Sequence, residues 1–232
     1  MVGSRKTNKS KKSGSGFYRF AYAVLAKILG FLFNIRVIGR DNEPEDGGFM
    51  VCANHVSATD PIVLAYAFKK HQIRFMAKKE LFKVPIVGQL VKMLGAFPVD
   101  RGASDVGAIK KSVKMLVDGE CMGIFPQGHR YPSTDPRNTP TKNGAALIAA
   151  RANADIVPVY IARKNNKHKL FRRTWVIIGT PMKLEEIEGY SDEEKNYSLV
   201  TAEIFDRICT IGENFSPESA RESLKDKKKG NK

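Results

Sequence analysis

Residues 49–68 read FMVCANHVSATDPIVLAYAF. The stretch opens on an unbroken apolar run, Phe49–Ala53, too short for a helix and without alternation. That is how a strand buried on both faces of a sheet reads. It closes on a helical pattern that starts at Asp60-Pro61. Asp60 can cap that helix, and Pro61 in its first turn has no N–H to leave unpaired. Between the two lies a short polar loop. Strand, loop and helix in this order form the repeating unit of a layered α/β domain.

The same alternation continues on both sides. Strand-like runs occur at 35–38, 73–77, 121–125, 156–161 and 174–179 as well as at 49–53. Helical patterns fall at 60–70, 85–95, 104–118, 143–152 and 191–211. Ser104 and Ser191 each precede acidic residues, as helix starts do. The expected architecture is a single α/β domain with a central, mostly parallel sheet flanked by helices. The chain has no internal repeat. The expected boundaries are a disordered basic tail at 1–16, a membrane-associating helix at 17–34, the main domain at 35–212 and a basic C-terminal tail at 213–232.

Charge narrows the partners. The chain has 232 residues and a net charge of +15. Such a protein is drawn to polyanions: nucleic acid, an anionic membrane or phosphorylated substrates. No acid precedes Asp41, whereas Arg5, Lys6, Lys9, Lys11, Lys12, Arg19 and Lys27 all do. A second basic cluster lies at Arg163, Lys164, Lys167, Lys169, Arg172 and Arg173, and a third ends the chain. No nucleic-acid motif is present, so nucleic acid is not the expected partner. The three cysteines stand far apart, without metal-ligand spacing, and read as buried thiols in a reducing compartment. No metal is expected.

Residues 17–33, FYRFAYAVLAKILGFLF, follow the polar tail abruptly. As a helix they would be about 26 Å long, against a hydrocarbon core of roughly 30 Å. A monotopic or re-entrant helix anchored by the basic tail is the favoured reading, because apolar insertion and a polybasic patch together give stable anchoring. A buried core helix, a true span and an uncleaved signal are the alternatives. If the segment crosses, the Lys/Arg excess keeps the N-terminal tail cytoplasmic, and the expected location is the cytoplasmic face of the cell membrane, peripheral or monotopic.

Candidate chemistry sits where strands end. His55 follows the strand 49–53, and Asp60 stands five residues on across a tight loop. Asp60 can hold one imidazole nitrogen and leave the other free as a base. Capping and ordinary hydrogen bonding also account for such a pair. Arg101, in FPVDRG (97–102), follows a strand-like turn and suits bidentate phosphate binding or a surface carboxylate. In GIFPQGHR (123–130), a buried strand enters a Pro-x-Gly turn and presents Gln127, His129 and Arg130 at the same strand-end face as His55. Lys142 and Gly144 follow at the start of a helix whose N-terminus favours anions. In VPVYI (157–161), Pro158 implies a sheet edge or a bulge.

Taken together, NHVSATD, FPVDRG, FPQGHR and VPVYI, in this order across about 35–180, resemble the glycerolipid acyltransferase family with its HxxxxD motif, and within it the 1-acyl-sn-glycerol-3-phosphate acyltransferases. The resemblance implies His55 as general base, Asp60 as its orienting partner and Arg101 as the ligand of the acceptor phosphate. It places Gly128 and Arg130 at the acceptor site. The family's third motif is usually Phe-Pro-Glu-Gly-Thr-Arg. Here Gln127 replaces the Glu and His129 the Thr. Gln127 can hydrogen-bond a glycerol hydroxyl but carries no charge; His129 adds a phosphate donor or fills space.

The implied reaction moves a fatty acyl group from acyl-CoA or acyl carrier protein, as substrate rather than cofactor, to lysophosphatidic acid in phospholipid biosynthesis. No acyl-enzyme is expected, since no Ser or Cys stands at a nucleophile position, and Ser57 reads as part of the loop. The oxyanion would take N–H donors from the Pro126–Gly128 turn. The alternatives are an acyltransferase for another lysolipid or glycerol 3-phosphate, and a non-catalytic anionic-membrane binder, which would have no need of His55, Asp60 and Arg101.

Overall fold

The computed structural model describes residues 28, 30–100, 105–167, 169, 171–191 and 193–221. All of the basic tail 1–16, most of the apolar segment 17–34, residues 222–232 of the C-terminal tail, and also Arg101, Gly102 and Ser104, lie outside them. Seven strands form one sheet: β1 (Ile35–Ile38), β2 (Met50–Ala53), β3 (Ile73–Lys78), β4 (Phe97–Val99), β5 (Cys121–Ile124), β6 (Ile156–Arg163) and β7 (Thr174–Ile178). Their order is β1-β7-β6-β2-β5-β3-β4. Every neighbouring pair is parallel except β6 with β7. The expected single α/β domain with a mostly parallel sheet is the fold observed.

The apolar run that begins at Phe49 owes its composition to its place. All four residues of β2 are buried, and the strand lies between β6 and β5. Successive side chains point to opposite faces. Met50 and Cys52 join a core with α4 (Gly144–Ala152) and α5 (Tyr197–Glu213), while Val51 and Ala53 join another with α1 (Asp60–Ala67). Two further helices, α2 (Val87–Met93) and α3 (Val106–Val117), complete the set named here.

The directions of the strands decide what shares an edge. β2, β3, β4, β5 and β6 run parallel, so their C-terminal ends lie along one edge. β7 opposes β6, and β1 follows β7, so both of these strands begin at that same edge. In open α/β sheets, this edge is where ligands bind.

The structure revises several boundaries. β4 is a strand, where FPV was read as a strand-like turn. Residues 79–83 form a 3-10 turn, and α2 starts only at Val87. Asp105 caps α3, its carboxylate accepting from the Ala108 N–H at 2.8 Å. The last helix starts at Tyr197 rather than near Ser191. Lys195, with φ +47°, interrupts any earlier helix, and Asn196 supplies the cap at the Leu199 N–H. Packing also continues past residue 212: Phe215 lies 5.5 Å from the Trp175 ring, and Ala220 is buried.

Pro158 does not mark an edge, since β6 lies between β7 and β2. It marks a bulge. The β6–β7 ladder begins at Val159↔Ile178, and a separate bridge pairs Ile156 with Met182. Two residues of β6 thus face three across the gap, and the extra residue interrupts the ladder. There the missing N–H of Pro158 leaves no ladder bond unmade.

Candidate active site

Three strand ends build the site. At the end of β2, the buried Asn54 side chain acts as a piece of strand. Its Nδ2 donates to the Ile161 carbonyl at 3.1 Å, and its Oδ1 accepts from the Ile161 N–H at 2.7 Å. The backbone therefore leaves the sheet at a fixed point, with His55 next in line. The His55 carbonyl accepts from the Tyr131 N–H at 2.9 Å. The imidazole stacks on Phe125, with ring centres 4.0 Å apart and planes 12° from parallel. Phe75 stacks behind Phe125. Gly123 permits this column, because a Cβ there would come within 2.1 Å of the Phe75 ring.

Asp60 is fully buried. Its Oδ2 accepts from His55 Nδ1, from the Val56 N–H and from the Ser57 N–H, each at 2.8 Å. Its Oδ1 pairs with the Arg163 guanidinium. The carboxylate therefore binds loop amides upstream of its helix. Thr59 is the N-cap residue, and Asp60 caps nothing within α1. Burial alone would raise the Asp60 carboxyl. The His55 hydrogen bond, the Arg163 charge and the Ser57 N–H outweigh it and hold the group below its ordinary value. An ionised Asp60 can only accept, so His55 carries its proton on Nδ1. Nε2 is left with a lone pair.

Arg163 is the functional residue that sequence reasoning missed. It was counted in a basic surface cluster, yet its side chain is only 2% exposed. Its Nε donates to Thr174 Oγ1 at 3.3 Å, from the residue directly across the β6–β7 ladder. Its neighbours Lys164, Lys167, Lys169 and Arg172 are exposed, as a surface cluster requires. A sequence signal did exist: Arg163 ends a strand whose preceding residues are almost all apolar.

Gln127 takes a different role from the one expected. It is 1% exposed. Its Oε1 accepts from the His55 N–H at 2.6 Å, and its Nε2 donates to Thr139 Oγ1 at 2.7 Å. Thr139 in turn donates its hydroxyl to the Pro136 carbonyl at 2.6 Å. Both ends of the amide are engaged within the protein, so it fixes the His55 backbone instead of facing a glycerol hydroxyl. Gln127→Leu leaves the half-buried His55 N–H without its protein acceptor and should cost about 1 kcal/mol of stability, measured by urea unfolding.

The rest of the 126–130 turn lies beside the dyad. Gly128, with φ +69°, sits under the aliphatic stem of Lys142, whose backbone N–H donates to the Pro126 carbonyl at 2.8 Å. His129, Arg130 and Lys142 are exposed. The Gly128 N–H closes the turn on the Phe125 carbonyl at 2.9 Å, so that group is not a free oxyanion donor. Arg101 lies outside the described residues, but β4, whose end it follows, finishes at the same edge. All three cysteines are buried, and burial pushes the Cys121 and Cys209 thiols up to about 11. Ser57 Oγ bonds Thr59 Oγ1 at 3.0 Å within the loop. Among the described residues, the ring nitrogen Nε2 of His55 carries a lone pair that can accept a proton at this edge.

Comparison with known proteins identifies the family. Residues 34–162 match the family described as Acyltransferase. The chain is 33% identical over 187 residues to the 1-acyl-sn-glycerol-3-phosphate acyltransferase of Bacillus subtilis, covering 80% of this chain and 92% of that one. It is 34% identical over 194 residues to the enzyme of the same name from Streptococcus pneumoniae, covering 80% and 71%. Among solved structures, the 1-acyl-sn-glycerophosphate acyltransferase of Thermotoga maritima shares the fold, with a TM-score of 0.66, 24% identity and coverage of 89% and 86%. With a matching family over more than half its length, and with relatives of this identity along most of it, the chain belongs to the acyltransferase family.

Proposed function

We propose that the protein transfers a fatty acyl group from acyl-CoA or acyl carrier protein to the free hydroxyl of lysophosphatidic acid, giving phosphatidic acid for phospholipid biosynthesis at the cytoplasmic face of a membrane. The observation that carries this reading is the dyad: His55 Nδ1 bonded to the buried, ionised Asp60, with Nε2 free at the strand-end edge. The names of the relatives supply the acceptor.

In the reaction, His55 Nε2 takes the proton of the acceptor hydroxyl as its oxygen attacks the thioester carbonyl. The new C–O bond forms, and the tetrahedral intermediate collapses with loss of the C–S bond. The imidazolium returns the proton to the departing thiolate. Asp60 stabilises that imidazolium while staying ionised itself. Arg101 is assigned to the acceptor phosphate, the exposed Arg130 and Lys142 supply further positive charge, and the exposed His129 supplies an N–H donor. Holding the acceptor by a group remote from the reaction lowers the entropy cost of reaching the transition state.

The test is a product assay by lipid mass spectrometry over a panel of acceptors and donors. Phosphatidic acid from lysophosphatidic acid is the expected product, and acylation of only other acceptors overturns the assignment. Arg101→Ala isolates the phosphate contact. Losing a charged hydrogen bond of about 2 kcal/mol should lower kcat/KM for lysophosphatidic acid roughly 30-fold. Turnover of monoacylglycerol, which has no phosphate, should stay unchanged. Equal losses on both acceptors would show that Arg101 serves the fold and not the phosphate.

A further inference from the structure

The large apolar side chains that face solvent are not scattered. Nine are exposed among the described residues, and seven of them fall in two places: residues 81–87, and Ile28 and Phe31 with Phe171. Both places lie on the sheet edge that carries His55. Residues 81–87 follow the C-terminal end of β3. Phe31 and Phe171 precede β1 and β7, which begin at that edge, and their rings meet edge-on at 6.3 Å. The eighth, Val106, opens the helix after β4, again at this edge; only Val117 lies at the other end of that helix. β2 stands in the middle of the strand order, so the two apolar places lie on either side of His55.

The segment 81–87 is a built turn. The Val87 N–H donates to the Pro85 carbonyl at 2.7 Å, and the Gly88 N–H to the Val84 carbonyl at 2.7 Å. Ile86 at its tip has φ +66°, a conformation that a β-branched residue rarely adopts. Its side chain is 83% exposed, next to exposed Leu81, Val84 and Val87. Hydrogen bonds hold a strained apolar tip out in water. Lys78, Lys79 and Lys83 flank it, against the single acid Glu80, and all four are exposed. The other apolar place is flanked by exposed Lys164, Lys167, Lys169 and Arg172. Apolar tips with cationic flanks complement a surface that is anionic outside and hydrocarbon within.

We propose that the 81–87 turn inserts into an anionic lipid bilayer and, with Phe31 and Phe171 as the second contact, sets the His55 edge facing the membrane. The inference rests on the lipid-acceptor reading above and deepens it: the lysolipid reaches His55 from the bilayer, without crossing water.

The three native cysteines are buried, so a single introduced thiol can be labelled with an environment-sensitive fluorophore. Ile86→Cys reports the turn, and Val117→Cys the opposite edge. Both labelled full-length proteins are titrated with phosphatidylglycerol vesicles and with phosphatidylcholine vesicles, and sedimentation is followed in parallel. A several-fold rise with a blue shift at residue 86, on phosphatidylglycerol only and without response at 117, is the expected result. Sedimentation with vesicles while the label at 86 stays in water overturns the turn as the inserting element and leaves the membrane reading intact. Failure to sediment with either vesicle overturns both. Ile86→Asp should weaken vesicle binding about tenfold or more and slow turnover of vesicle-borne acceptor, with turnover of a monomeric short-chain acceptor unchanged. Equal loss on both acceptors would also overturn the proposal.

Discussion

His55→Ala lowers kcat by about 100- to 10,000-fold, the range that a positioned general base contributes, while the protein remains folded. The side chain is part of a stack on Phe125, but its hydrogen bond to Asp60 is one of three that Oδ2 accepts. The Val56 and Ser57 amides still satisfy that oxygen in the variant, and Arg163 still pairs with the other. The backbone bonds of residue 55, to Gln127 Oε1 and from the Tyr131 N–H, do not involve the imidazole. Circular dichroism and urea unfolding should therefore change little while turnover collapses. KM for lysophosphatidic acid should hold, because the proposed acceptor contact is made to the phosphate and not by the imidazole. Near-normal turnover by folded His55→Ala would remove the general base from the mechanism. Loss of turnover together with loss of structure would instead make the imidazole a packing group.

The fold was legible because every strand except β4 wrote its surroundings into its composition. Phe49–Ala53 is unbroken apolar because helices cover both faces of β2. The His55–Asp60 spacing was equally open to reading. What escaped was every feature set by contacts between distant segments. Arg163 is 103 residues from Asp60, and in sequence it heads a run of lysines and arginines. Its burial comes from the antiparallel return of β7, which places Thr174 opposite it. Gln127 was read as facing substrate because it stands in a polar turn, whereas Thr139 and the His55 N–H draw it inward. Pro158 was read as an edge or bulge residue; the one extra residue in 179–181 decided between the two. Ser191 looked like a helix start as good as any, but Lys195 adopts a left-handed conformation that no local rule demands.

Arg163→Met should be the most destabilising single change at this site, and its pH dependence should identify the cause. The substitution keeps the buried stem and removes the charge, leaving Asp60 fully buried with no cation beside it. Breaking a buried pair on one side costs about 3–5 kcal/mol, read by urea unfolding at neutral pH. In the native protein, the Asp60 carboxyl is held below its ordinary value, so its contribution is present above the unfolded carboxylate range and is lost as pH falls through the folded value. Without Arg163, the His55 hydrogen bond and the Ser57 N–H still oppose desolvation, but one lowering influence is gone, so the same carboxyl rises from its native value and its stabilising contribution shrinks. The gap between native protein and variant should thus be widest near neutrality and narrow toward the pH at which Asp60 protonates. A mere packing defect would leave a gap that does not change with pH. Adding Asp60→Asn sharpens the contrast. In the native background, the Asn oxygen must serve the Val56 and Ser57 amides, which turns its NH2 against the guanidinium, so the change is destabilising. In the Arg163→Met background, no buried charge remains, and the same change should restore part of the lost stability. That reversal of sign between the two backgrounds marks direct coupling, and two independent losses that simply add would sink the pairing as a contributor to Asp60's ionisation.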